Sequence, residues 1–252
     1  MAEGDTIVRT AARLAPMAGE RVAASAPNPR GRAAGVERID GLVFEGVETR
    51  GKNLLLVFEG GLALHSHLGM NGSWRVYATG ERWGRSPRSA WAVLSGGGWD
   101  AVQFGGPTIE VMTTSKMRRH PAITGLGPDI LDEEFDLGRA VAGIRADPSR
   151  GIGDALLDQH LVAGIGNIFK SEACFAARVD PWRPVDDLSE EELHEVLAAA
   201  RGLMLEAVKS GRYPFKVYKR RQGACPRCRG RISSRGQGDA NRTTYWCPRC
   251  QA

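Results

Sequence analysis

Four cysteines close the chain in two Cys-Pro-Arg-Cys knuckles, Cys225 to Cys228 and Cys247 to Cys250, with eighteen residues between them. Two short turns that each offer two thiolates suit a closed tetrahedral Zn²⁺ site with bonds of about 2.3 Å and no position left for water. Such a metal is structural, folding a segment too small to build a core of its own. The segment it folds is cationic. Residues 216–252 hold ten Lys and Arg against one acid, Asp239, a net of +9 where the whole chain carries +5, so residues 1–215 sum to −4. One Zn²⁺ with four thiolates subtracts about two charges. A rigid, concentrated cation faces a polyanion, most simply the phosphates of a nucleic acid. The plainer alternative is a ribbon that caps a domain or docks a protein.

The N-terminus offers a second chemistry. Met-Ala-Glu-Gly-Asp-Thr has the small second residue that usually permits loss of the initiator methionine. Ala2 would then carry a free α-amine with a pKa of about 7.7 to 8.0, partly unprotonated near neutrality. That amine can form a Schiff base with a sugar aldehyde carbon, while the Glu3 carboxyl beside it moves protons. Any chain beginning this way would match, so the pattern needs company. Lys52, in Arg50-Gly51-Lys52-Asn53, stands at the mouth of an apolar strand, where a solvated strand-end lysine is the ordinary reading. His67 lies where a strand runs into the turn Leu68-Gly69-Met70-Asn71-Gly72. Met70 is either packed back on its own domain or an exposed wedge of the kind inserted between base steps. In Gln159 to Glu172 two glycines and an asparagine interrupt helical residues, as in a helix-turn-helix with an unusual turn. Gly164 and Gly166 allow close backbone approach, Asn167 is predicted to cap the second helix, and Lys170 follows one turn later. An ordinary glycine-containing corner between helices has the same chemistry.

These residues need a scaffold, and the hydrophobic patterning outlines one. Asp5 is predicted to cap a helix with Ile7, Ala11 and Leu14 on one face, ended by Pro16 and Gly19. From residue 41 to 112 the period becomes two, with strands over 54–58, 62–67, 73–77, 90–94, 101–104 and 108–112, the pattern of an antiparallel sandwich. Gly60-Gly61 reads as a tight hairpin turn, Gly96-Gly97-Gly98 as a looser one, and residues 25–35 as an exposed loop. Beyond a Pro/Gly-rich linker the period turns helical. Ser189 and Glu192 form a capping box ahead of an apolar stripe that Gly211 ends. The fold class expected is multidomain α+β. Its parts are a catalytic sandwich over 1–120 with a leading helix, a linker over 121–135, a helical DNA-binding domain over 136–222 and a zinc hairpin over 223–252. The 252-residue length suits two cores plus a small zinc module, and 42% hydrophobic with 25% charged residues is ordinary for a globular chain. With neither a long apolar run nor a secretion signal, the chain is expected in the cytoplasm, associated with the nucleoid and away from membranes. There Cys174 stays a lone buried thiol.

In order along the chain, Ala2-Glu3-Gly4-Asp5-Thr6, Arg50-Gly51-Lys52, His65-Ser66-His67-Leu68-Gly69-Met70-Asn71-Gly72, Leu126-Gly127-Pro128-Asp129, Leu161 to Ile168 and the four-cysteine hairpin resemble the formamidopyrimidine-DNA glycosylase and endonuclease VIII family of base-excision repair enzymes. Gly4-Asp5-Thr6 is more similar to the endonuclease VIII branch, which favours oxidised pyrimidines. The resemblance implies a monomeric glycosylase and AP lyase that bends duplex DNA and flips out the damaged nucleotide. It attacks C1′ with the N-terminal amine and nicks by β- and δ-elimination. It further implies Glu3 as acid and proton shuttle, Lys52 on phosphate and in β-elimination, and Arg242 on the phosphates flanking the lesion and in δ-elimination. His67, Asn167 and Lys170 would contact DNA, and Met70 would fill the space left by the flipped base.

The sequence departs from the family pattern in three ways. Its usual proline nucleophile gives a cationic imine at once, whereas the primary amine of Ala2 gives an imine that must first gain a proton. Thr6 stands where many relatives carry glutamate. Val102 and Gln103 fall where the formamidopyrimidine branch places an arginine beside its wedge. Hence an alternative accompanies the enzyme reading: a non-catalytic binder of damaged or abasic DNA that lost turnover with its proline.

Overall fold

The computed structural model describes residues 2–251. It divides into two compact units, one of Ala2 and Thr6–Gly125, the other of Glu3–Asp5 and residues 126–251.

The first unit is a sandwich of two four-stranded antiparallel sheets. Its strands are β1 (Ala23–Ser25), β2 (Phe44–Arg50), β3 (Asn53–Phe58), β4 (Leu62–His67), β5 (Ser73–Ala78), β6 (Ala90–Gly96), β7 (Trp99–Phe104) and β8 (Thr108–Thr113). One sheet runs β1-β6-β7-β5 and the other β2-β3-β4-β8. Strand β3 shows why the pattern folds this way. Leu54, Leu56 and Phe58 enter the core between the sheets with Leu64, Ala92, Leu94 and Ala101, while Leu55 turns outward onto Ala63, Met112 and Met117. Both faces are covered, so the strand is apolar from Leu54 to Phe58. Helix α1 (Gly4–Leu14) contributes Ile7, Ala11 and Leu14 to that core. It starts at Gly4, so Asp5 lies inside the first turn, where its charge suits the helix dipole, and is not the cap expected.

Three segments correct the sequence expectations. Residues 25–35 are not a loose loop: β1 leads into α2 (Pro29–Ala33), capped by Asn28, whose side chain accepts the Arg30 amide at 3.0 Å. The turn after β6 is tight, two glycines with φ of +59° and +83°, because β6 runs to Gly96 and β7 starts at Trp99. The end of the expected sandwich segment folds as α3 (Thr114–Arg118), with Met117 buried against Leu55, and the start of the expected linker as α4 (Pro121–Thr124).

In the second unit α5 (Leu137–Arg145), α6 (Ile152–Ala155), α7 (Asn167–Ala176) and α8 (Glu190–Ser210) enclose one core, including Ile144, Phe169, Leu193, Val196, Leu197 and Met204. The expected capping box of Ser189 and Glu192 is present, and Gly211 ends α8 at φ +71°. A zinc-type hairpin of β9 (Ser233–Gln237) and β10 (Arg242–Trp246) packs on α7 within the same unit. No helix among the described residues is long and apolar enough to cross a membrane.

Candidate functional site

In the first unit, the Ala2 nitrogen, Met70, Lys52 and His67 lie at one end of the sheet β2-β3-β4-β8. The Ala2 nitrogen donates to the Gly69 carbonyl at 3.0 Å. Gly69 adopts φ +58°, and a Cβ there would stand 2.8 Å from Pro107, so the turn is specified by glycine. Leu68 anchors the turn in the core, while Met70 is 66% exposed. Of the two outcomes for Met70, the structure shows the exposed tip. Gly51 and Lys52 form the two-residue turn between β2 and β3, and His67 pairs with Asn53 on β3. Burial first, and then the nearby Lys52 charge, holds the His67 pKa below the ordinary histidine range.

Sequence reasoning passed over the residues that orient this turn. Asn53 donates to the Arg50 carbonyl at 3.0 Å and shares a 2.9 Å hydrogen bond with Nε2 of buried His65. Burial, with His120 and His67 adding to it, lowers the His65 pKa to about 4, so it is a neutral hydrogen-bonding group at physiological pH. The available signal was position: His65 and His67, two apart on β4, share a face.

In the second unit the site is built around α7. Glu3 is 1% exposed, and its carboxylate accepts amides from Gly166 at 3.1 Å, Ile168 at 2.8 Å and Phe169 at 3.2 Å. The helix cap is therefore Glu3 and not Asn167, because a carboxylate from residue 3 satisfies the orphan amides that a helix N-terminus presents. Gly166 is extended at φ −120°, so it is required here for space, not conformation. Any Cβ on it would lie 2.5 Å from Glu3 Cγ and Oε1. Asn167 instead donates to the Thr243 carbonyl of β10 at 2.7 Å. Lys170 has no exposed surface, and its ammonium hydrogen-bonds Thr244 Oγ1. The expected direct contact of Lys170 with DNA is thus corrected, because the hairpin lies over it. Arg242 opens β10, opposite Gln237.

The four cysteine sulfurs lie within 4.8 Å of one another, with Cys225 to Cys250 at 3.8 Å and Cys228 to Cys247 at 3.5 Å. A tetrahedron with bonds of about 2.3 Å has edges of about 3.8 Å, so Zn²⁺ fits. Not every cation of the tail faces outward. Arg227 donates to the Phe175 and Ala176 carbonyls at the end of α7, and Arg235 stacks 3.8 Å over Trp182. Cys174 is fully buried, and desolvation pushes its thiol up to about 12, which leaves it inert.

Residues 1–102 match the family model of the formamidopyrimidine-DNA glycosylase N-terminal domain, residues 126–218 its H2TH domain, and residues 224–252 the zinc finger found in FPG and IleRS. The chain is 40% identical over its full length to the probable endonuclease 8 2 of Streptomyces coelicolor, covering 94% of that protein. It is 33% identical to the DNA-(apurinic or apyrimidinic site) lyase Nei2 of Mycolicibacterium smegmatis, over 100% of this chain and 99% of the relative. The fold aligns with the Lactococcus lactis Fpg complexed with abasic-site DNA at a TM-score of 0.85 and 22% identity, covering 99% of each chain. Matched in order by all three domains, and 40% identical along its whole length to one such relative, the chain belongs to the formamidopyrimidine-DNA glycosylase and endonuclease VIII family.

Proposed function

We propose that this chain is a DNA glycosylase with AP lyase activity that removes oxidised bases, chiefly pyrimidines, from duplex DNA. The observation that carries the reading is the Ala2 nitrogen, held 3.0 Å from the carbonyl of Gly69 and so within one residue of exposed Met70. Nucleophile and wedge meet at one turn, and the acid Glu3 is the residue after Ala2 in the chain.

Freed by loss of Met1, the Ala2 amine adds to C1′ of the flipped nucleotide, the C1′–N bond breaks and the base leaves with a proton. Glu3 assists sugar opening and shuttles protons. The imine of a primary amine must be protonated before it becomes a good electron sink. Loss of a C2′ proton then expels the 3′ phosphate, aided by Lys52, and a second elimination expels the 5′ phosphate, aided by Arg242. His67 and Asn167 contact backbone, and Met70 fills the vacated stack. Zn²⁺, held by Cys225, Cys228, Cys247 and Cys250, supplies no chemistry and keeps the hairpin rigid. The working parts are residues 1–120, 121–135, 136–222 and 223–252, in a monomer acting at the nucleoid.

The test is borohydride reduction of the untagged protein with an abasic-site duplex, with the mature N-terminus weighed by mass spectrometry. A covalent complex that persists in Lys52→Ala supports Ala2 as nucleophile. Lesion-selective binding with neither trapping nor nicking would leave the non-catalytic binder.

A further inference from the structure

Among the described residues, Lys170 is a fully buried cation that the proposed chemistry leaves without a task. A fully buried ammonium is costly, and an apolar side chain of similar length would avoid the cost. Its surroundings suggest why it is there. Besides Thr244 Oγ1, its Nζ lies 3.5 Å from Gln237 Oε1. Thr244 Oγ1 itself donates to Gln237 Oε1 at 2.7 Å, and Gln237 Nε2 donates to the Pro181 carbonyl at 2.6 Å. Gln237 is the strand partner of Arg242, and Thr244 lies two residues further along β10. One turn earlier on α7, Asn167 holds the Thr243 carbonyl. The backbone that projects Arg242 is therefore gripped on both strands by α7, the helix whose N-terminus holds Glu3.

We propose that Lys170 is a positioning residue for Arg242, pinning the zinc hairpin to α7 so that the arginine meets the phosphate expelled in the δ-elimination step. The proposal rests on the role given to Arg242 above. Burial lowers the Lys170 pKa to about 8. The groups facing it are the Cys174 thiol of its own helix, Asp154 of α6, Arg242 of β10 and Glu3. The thiol is neutral at such pH, so the balance among the others is one arginine against two carboxylates. The pin is charged below pH 8 and weakens as pH rises past it.

The test measures the ratio of δ- to β-elimination products on an abasic-site duplex, with the borohydride trapping rate beside it, since trapping precedes the step assigned to Arg242. Lys170→Met is expected to lower the product ratio roughly tenfold, the rate equivalent of one charge-assisted hydrogen bond, and by more than it lowers trapping. In the wild type the ratio falls between pH 7 and pH 9, and in Lys170→Met that fall disappears. A product ratio unchanged in Lys170→Met but reduced in Arg242→Ala overturns the proposal and keeps the role of Arg242. A ratio unchanged in Arg242→Ala overturns that role, and the proposal with it. Should Lys170→Met bind less than one Zn²⁺ per chain, Thr244→Val, which removes the acceptor and leaves the amine, decides by the same ratio.

Discussion

Gly166→Ala offers a sharp probe of the acid's placement. Because Gly166 has extended backbone angles, alanine strains nothing locally, and the whole effect falls on Glu3. Ordinary van der Waals contact begins at 3.4 Å, while the new methyl would sit 2.5 Å from Glu3 Cγ and Oε1 and closer still to Cδ. The carboxylate must retreat by about 1 Å, a displacement that costs on the order of 10²-fold in rate when it misplaces a reacting group. Retreat also releases three amide hydrogen bonds to a charged acceptor. With partial resolvation of the amides, a loss of about 2 to 5 kcal/mol follows. Single-turnover nicking of an abasic-site duplex and thermal unfolding read the two effects. The double variant Glu3→Ala with Gly166→Ala should be more stable than Gly166→Ala alone, since the removed side chain vacates the space the methyl needs. Gly166→Ala nicking within about threefold of wild type would refute the placement of the acid.

Met70→Ala should leave unfolding within about 0.5 kcal/mol, because the side chain is exposed, yet weaken binding to a lesion duplex by roughly tenfold. Equal affinity for lesion DNA would exclude the wedge. Removing Zn²⁺ with a chelator should abolish DNA binding and unfold the hairpin, leaving the sandwich strands protected in hydrogen exchange; retained affinity would contradict the role of the hairpin. His65 has a folded pKa near 4 against 6.5 in the unfolded chain, so its neutral form stabilises fully above pH 6.5 and this contribution is lost as pH falls toward 4. Urea titrations should show lower stability at pH 5 than at pH 7, and His65→Gln should reduce the difference; an unchanged difference would remove His65 as its source. Arg242→Ala should reduce the slope of log affinity against log salt by about one unit, and an unaltered slope would deny it a phosphate contact.

What the sequence revealed best were features whose cause is local. The cysteine spacing dictates its metal, and Ser189 and Glu192 cap a helix from three residues away. Features that depend on distant partners were hidden. Nothing near Asn167 indicates that a carboxylate 164 positions earlier caps its helix, so the asparagine looked like the cap itself. Lys170 looked like a DNA contact because helical spacing gives a face but not its cover, and the hairpin that covers it comes some seventy residues later. Residues 25–35 looked like a loop from their Pro, Gly and Arg content. Gly31 is in fact buried against the Trp91 carbonyl, where any side chain would collide.

The bond between the Ala2 nitrogen and the Gly69 carbonyl also ties two events together mechanically. A turn forced aside by an intact, well-stacked duplex would carry the amine with it, so resistance to the probe and withdrawal of the reactive nitrogen are the same displacement. In the mechanism proposed, screening for damage and arming the attack would need no separate relay, since a single peptide carbonyl would couple them.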